Sequence, residues 1–217
     1  MKKRISLSFI ITLCILVLLS ACSGTSEKAP SDEPEATPKV EEAVISNINI
    51  FQTGAASLET QTVGDVNAYS IADYITATFE TAPTGHVVLV ATDGYAATST
   101  MEELSKYYIT LEGNDAPLIV GDSELPGELK VKYLQYIKTG SEIIYFASGE
   151  EKAADIFKTV EMTEADSYVF TATDGFNRSV PADQLDTVTL SYEEGTVNVT
   201  LPELPEPMRD LVNIKAE

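Results

Sequence analysis

Cysteine, histidine, tryptophan and arginine are scarce in this chain of 217 residues. Its two cysteines, Cys14 and Cys22, both fall within the first 22 positions. No later cysteine can form a disulfide, act as a thiolate nucleophile or ligate a metal. The single histidine, His86, excludes a zinc site built on a histidine cluster. It follows Thr84-Gly85 and reads as a strand-end residue. Tryptophan is absent, and arginine is limited to Arg4, Arg178 and Arg209. No Gly-rich phosphate loop or Gly-x-Ser-x-Gly nucleophile elbow occurs. Stability must come from ordinary apolar cores, and the length suffices for one or two.

Positive charge is also short. Fourteen Lys and Arg stand against 34 Asp and Glu, a net charge of −20. Nucleic acids and anionic lipid surfaces are repelled by such a chain, so nucleic acid is not an expected partner.

The first residues have a different character. Lys2, Lys3 and Arg4 precede an apolar run, Ile5 to Leu19, and small residues follow at Ser20 and Ala21. This is the order of a secretory signal, and the run is shorter than the ~20 residues that span a bilayer. Leu19-Ser20-Ala21-Cys22 resembles a bacterial lipobox. The resemblance implies cleavage before Cys22, diacylation of its thiol and an anchor on the extracytoplasmic face of the cell membrane. Residues 1–21 are then the signal peptide. The exported chain keeps 11 basic and 34 acidic residues, a net charge of −23. Paired arginines are missing from the signal, which favours export in the unfolded state.

Residues 22–43 read as an acidic linker, with Pro30, Pro34 and Pro38 among serines and glutamates. So few apolar side chains cannot bury enough surface to fold. From Val44 onward strand signals dominate: Ile45 to Phe51, Val87 to Val90, Tyr107 to Ile109, Leu129-Val131-Tyr133 and Ile143 to Phe146. Ser70 to Phe79 reads as a short helix with Ser70 as its N-cap, and Glu150 to Phe157 as another. Thr100 to Ser105 and Pro181 to Leu185 look like single helical turns. The expected class is α+β, with β-rich mixed sheets and short helices.

A repeat runs through this pattern. Val90-Ala91-Thr92-Asp93-Gly94-Tyr95 returns 81 positions later as Thr171-Ala172-Thr173-Asp174-Gly175-Phe176, and Leu104 maps onto Leu185. Tyr136-Ile137-Lys138 resembles Asn213-Ile214-Lys215. Two related modules in tandem are expected, at 44–139 and 140–217. Asp93-Gly94 and Asp174-Gly175 each lie between β-rich runs. They are read as structural turns, of the two-residue type I′ kind, with Tyr95 and Phe176 packing on a sheet face.

The order strand, Asp-Gly-aromatic, then a Leu-ended turn resembles the oxidoreductase molybdopterin-binding domain of the sulfite oxidase type. Thr92 to Tyr95, Met101 to Leu104, Glu112 to Leu118 and Tyr133 to Ile137 carry the likeness, over roughly residues 65–139 and again over 150–216. Enzymes of that family bind molybdenum through a cysteine and hold the pterin phosphate with basic residues. Here no cysteine is available, and only Arg178 and Arg209 follow the signal. Family enzymes also load their cofactor before folded export. The resemblance therefore implies a relative without a cofactor and without a metal.

Other constellations are poorer. Asn114, Asp115, Asp122 and Glu124 lack the alternate spacing of a calcium loop. Tyr107, Tyr108, Tyr133, Tyr136, Tyr145 and Phe146 suggest core or sheet-face packing. Within that group Tyr107 and Tyr136 are the candidates to face a ring-bearing ligand. The expected function is that of a non-catalytic binding module, anchored in the membrane, whose partner is a small molecule or an envelope protein. The alternative is a redox accessory protein holding a flavin or pterin-like group.

Overall fold

A computed structural model describes residues 44–51, 58–79, 83–121 and 124–217, which belong to one compact unit. Cys14, Cys22, the signal segment, the linker and Asp122 lie outside the described residues.

The described residues begin with β1 (Asn47–Ile50), the paired strands β2 (Gln61–Val63) and β3 (Val66–Ser70), and helix α1 (Ile71–Thr78). A first Asp-Gly hairpin follows, β4 (His86–Ala91) and β5 (Ala96–Thr100), ending in the single turn α2 (Met101–Leu104). Next come β6 (Tyr108–Thr110), β7 (Leu118–Val120), β8 (Leu134–Thr139) and β9 (Glu142–Tyr145). The second half runs through β10 (Glu150–Lys152), α3 (Ala153–Val160) and a second Asp-Gly hairpin, β11 (Ser167–Ala172) and β12 (Asn177–Pro181). It closes with β13 (Thr189–Glu193), β14 (Thr196–Thr200) and β15 (Leu211–Ala216). The fold is β-rich, with few and short helices.

Helix α1 forms where its end signals are strong. The Ser70 hydroxyl accepts the Asp73 N–H at 3.3 Å, and Ile71, Tyr74 and Ile75 are buried at helical spacing. Phe79 takes an extended conformation and ends the helix. In α3 the buried set is Ala153, Ile156, Phe157 and Val160, and Glu161 terminates it with φ 54°. The helix expected from Glu150 starts three residues late, because Glu150 to Lys152 pair with β13 instead.

Eight strands form one sheet in the order β12-β11-β15-β1-β9-β8-β4-β5. At its centre β1 runs parallel to β9, and all other neighbours are antiparallel. On β9, Ile143 joins one hydrophobic core and Ile144 the other. Successive strand residues point to opposite faces, so the two cores lie on opposite sides of the sheet. Ile75, Leu89, Leu104 and Ile137 belong to the core with Ile144, and Ile156, Phe170 and Ile214 to the core with Ile143. Ile45, Ile48 and Ile50 also pack in the latter core, although they lie at the start of the first half in sequence. The expected module boundary, 139/140, falls in the turn between β8 and β9, which pair from Tyr136↔Tyr145 to Thr139↔Glu142.

The 81-residue offset recurs in the backbone. Gly94 and Gly175 both have φ 85°. The Ala91 N–H donates to the Tyr95 carbonyl at 2.9 Å, and the Ala172 N–H to the Phe176 carbonyl at 2.8 Å. Thr92 donates to Tyr133 and Thr173 to Asp210, each at 2.9 Å, and both acceptors have positive φ. The register shift in β4 against β8 falls at Val90/Ala91, and that in β11 against β15 at Thr171/Ala172.

Two local expectations need correction. The Asp-Gly turns are not type I′, since neither Asp93 nor Asp174 is among the described residues with positive φ. Gly94 and Gly175 instead donate to Ala91 and Ala172 at 3.0 Å, which makes a tight turn closed by a glycine in the left-handed region. Leu129-Val131-Tyr133 is not a strand. Gly127–Leu129 is a 3-10 turn, Leu129 and Val131 are buried plugs, and Tyr133 has φ 51°.

Candidate functional site

A cleft of about 690 Å³ opens beside the second Asp-Gly hairpin. One wall is the hairpin itself, with Thr173, Asp174 and Phe176. The other is the segment from Leu204 to Asp210, which carries Pro205, Pro207, Met208 and Arg209. Pro205 and Pro207 each fix their own φ in this segment, which narrows its conformational freedom.

The hairpin holds its wall rigidly. Asp174 Oδ1 accepts the Phe176 N–H at 2.8 Å, and both the N–H and the hydroxyl of Thr173 reach the Asp210 carbonyl. The facing segment is pinned at the sheet by two 2.8 Å bonds exchanged between Val199 and Met208. Phe176 is 39% exposed at the mouth. The Arg178 guanidinium lies 4.3 Å from its ring centroid and donates to the Asn177 carbonyl at 2.8 Å. Arg209 lines the cleft and makes no ion pair among the described residues. Arg209 thus lines the cleft itself, while Arg178 stacks on Phe176 and lines a separate small pocket beside it.

The volume lies within the ~300–1,000 Å³ range of small-molecule sites. Its lining combines an aromatic ring and prolines with a few polar groups, the usual mixture where an apolar body is gripped and a polar end is oriented. None of the lining side chains is His, Cys, Ser or Lys. The cleft can hold and orient a ring-bearing molecule. The Thr173 hydroxyl in its lining donates to the Asp210 carbonyl at 3.1 Å.

At the first hairpin the equivalent aromatic is Tyr95. Its hydroxyl donates to the Glu128 carbonyl at 2.9 Å and ties the hairpin to the segment before β8. Asp93 Oδ1 accepts the Tyr95 N–H at 2.9 Å, as Asp174 does for Phe176. Lys132 and the Tyr133 hydroxyl both bind Asp115, and these contacts hold its carboxyl below the usual carboxylate range. The first hairpin is thus tied across by the Tyr95 hydroxyl, whereas Phe176 has no hydroxyl with which to do the same.

The tyrosines expected to face a ligand divide. Tyr107 is 7% exposed, buried in the core it shares with Ile71, Tyr74 and Ile75 of α1, and its carbonyl accepts the Ile71 N–H at 3.2 Å. Tyr136 is half-buried on the opposite face, and burial followed by the Glu161 charge raises its pKa. Neither lines the main cleft. Tyr95 and Phe176, expected on a sheet face, are 43% and 39% exposed. Asp93, Gly94, Asp174 and Gly175 occupy the turns themselves.

A second cavity, of about 400 Å³, is lined by Gln135, Tyr145, Glu151, Lys152 and Asp155 among others. Tyr145 donates to Glu151 at 2.7 Å, and burial with that contact raises its pKa well above the ordinary value. Among the described residues no three His, Cys, Asp or Glu are gathered as metal ligands would be. No described helix is long and apolar enough to cross a membrane.

Comparison of the chain with protein-family models, curated proteins and solved structures finds no match. The functional reading therefore rests on the residues and the geometry.

Proposed function

We propose that the chain is an extracytoplasmic lipoprotein, anchored through Cys22, that binds a ring-bearing small molecule without transforming it. The cleft beside the second Asp-Gly hairpin is its binding site. The carrying observation is the difference between equivalent positions: Tyr95 bridges to Glu128, while Phe176 leaves its cleft open.

Two further features support the reading. The lipobox-like Leu19-Ser20-Ala21-Cys22 follows a complete signal pattern. Val44, where the described chain begins, leads into β1, which runs in the same direction as β11, so the chain enters at the end of the sheet opposite the second hairpin.

The two halves are proposed to be related modules. Matching turn bonds, matching glycine conformations and matching register shifts 81 residues apart support this. Their resemblance to the molybdopterin-binding domain is proposed as descent with loss of the cofactor, supported by the missing cysteine.

The test is a thermal-shift screen of ring-bearing compounds against the wild type and Phe176→Tyr. Compounds that stabilise the wild type should bind the variant about tenfold more weakly, because the new hydroxyl closes the mouth. Equal binding to both would remove the cleft from the account. A flavin or pterin among the hits, with a coloured complex, would move the reading to the redox accessory class.

A further inference from the structure

The eight-stranded sheet ends on two edges that occupy equivalent positions, β5 and β12. Each is the second strand of an Asp-Gly hairpin, and Ala96 to Thr100 correspond to Asn177 to Pro181 at the same offset. The two edges are finished differently. β12 carries Arg178 and Pro181, two of the devices that keep an edge from pairing with another chain. β5 reads Ala-Ala-Thr-Ser-Thr, with no charge, no proline and an unbroken register against β4 from His86↔Thr100 to Val90↔Ala96.

The Ala91 N–H bonds the Tyr95 carbonyl at the base of the hairpin. By antiparallel alternation Ala97 and Ser99 then turn their backbone groups toward β4, and Ala96 and Thr98 turn theirs outward. Both of these residues are exposed. Their N–H and C=O groups form a short, regular template.

We infer that β5 is a strand-addition site for an extended segment of another protein, with small or β-branched residues at its centre and basic residues at its ends. The charge pattern selects this occupant. Asp93 precedes the strand, and Glu102 and Glu103 follow it. A second copy would bring the same carboxylates to both ends of the paired strands, between two chains that each carry a large negative charge. A segment with lysines at its ends meets the same carboxylates favourably, against a chain of net charge −20. This site is independent of the cleft at the second hairpin.

The experiment is amide hydrogen exchange, read by mass spectrometry on the full chain in detergent. The probe is a synthetic peptide of about eleven residues, enough to reach both acidic ends at ~3.4 Å per residue. It alternates Thr and Val and carries Lys at both ends. The control carries Glu instead. With the lysine peptide, exchange over Ala96–Thr100 should slow at least fivefold, while Asn177–Pro181 stays unchanged. The glutamate peptide should have less effect, and Thr98→Lys should abolish the slowing. Thr98 is exposed, so that variant keeps its fold. Unchanged exchange over Ala96–Thr100, equal slowing over Asn177–Pro181, or slowing that grows with protein concentration in the absence of peptide would overturn the inference.

Discussion

The Tyr95 hydroxyl donates to the Glu128 carbonyl at 2.9 Å, a bond that its counterpart Phe176 cannot make. Removing that hydroxyl should loosen the first hairpin only slightly, because the bond is exposed to water. Tyr95→Phe is expected to cost about 0.5–1 kcal/mol of unfolding free energy. Chemical denaturation of the two proteins measures it, and an unchanged midpoint would remove the strap from the account.

Gly94 and Gly175 share φ 85°, and a Cβ added at either would meet nothing within 4 Å. The cost of alanine is therefore backbone strain alone, about 1–2 kcal/mol. Gly94→Ala and Gly175→Ala should destabilise by the same amount within about 0.5 kcal/mol. A large inequality would show that the two turns are not energetically equivalent.

Asn213 of β15 donates to Asn47 and Asn49 of β1 at 2.6 and 3.0 Å, and both donate onward to Glu142 of β9 at 3.1 and 3.3 Å. This chain of amides ties three central strands across one face. Asn213→Ala leaves the side-chain oxygens of buried Asn49 and half-buried Asn47 without this donor. It is expected to cost about 1–3 kcal/mol, read as a shift in the denaturation midpoint. Ile48→Ala, which opens a cavity in the core beside it, should cost more, about 2–5 kcal/mol.

Tyr145 gives the pH dependence. Its pKa is raised from 10.0 first by burial and then by its bond to Glu151. The raised folded value favours the protonated phenol, so its contribution is complete below the unfolded pKa and is lost as pH rises above about 10. Stability should fall above that pH by up to about 1.4 kcal/mol per unit from this group. Tyr145→Phe should flatten the decline, and equal alkaline slopes in both proteins would contradict it.

Elements with local signals were legible from the sequence. Ser70 marks the start of α1, and each Asp-Gly pair marks its hairpin, because caps and turns are decided by a few adjacent residues. Non-local choices were hidden. Nothing in Asn47–Ile50 says that this strand pairs with both β15 and β9, or that Ile48 serves a core made mainly by the second half. Val131 alternates like a strand residue, yet it lies buried in a loop whose carbonyl accepts the Ile119 N–H at 3.1 Å. Tyr107, which the sequence left between core packing and a ligand face, is buried in the core that α1 shares. The cleft was the least visible part. Its wall from Leu204 to Asp210 lies some thirty residues beyond Phe176, and only the proline density hinted at a rigid segment.

The most direct test of the central claim is the intact mass, under native conditions, of the full chain released from membranes in mild detergent. The account predicts a polypeptide that begins at Cys22 and carries acyl groups. It also predicts a small non-covalent companion whose occupancy falls in Phe176→Tyr. A chain that starts upstream of Cys22, lacks acyl mass, or carries no companion in the wild type would contradict it.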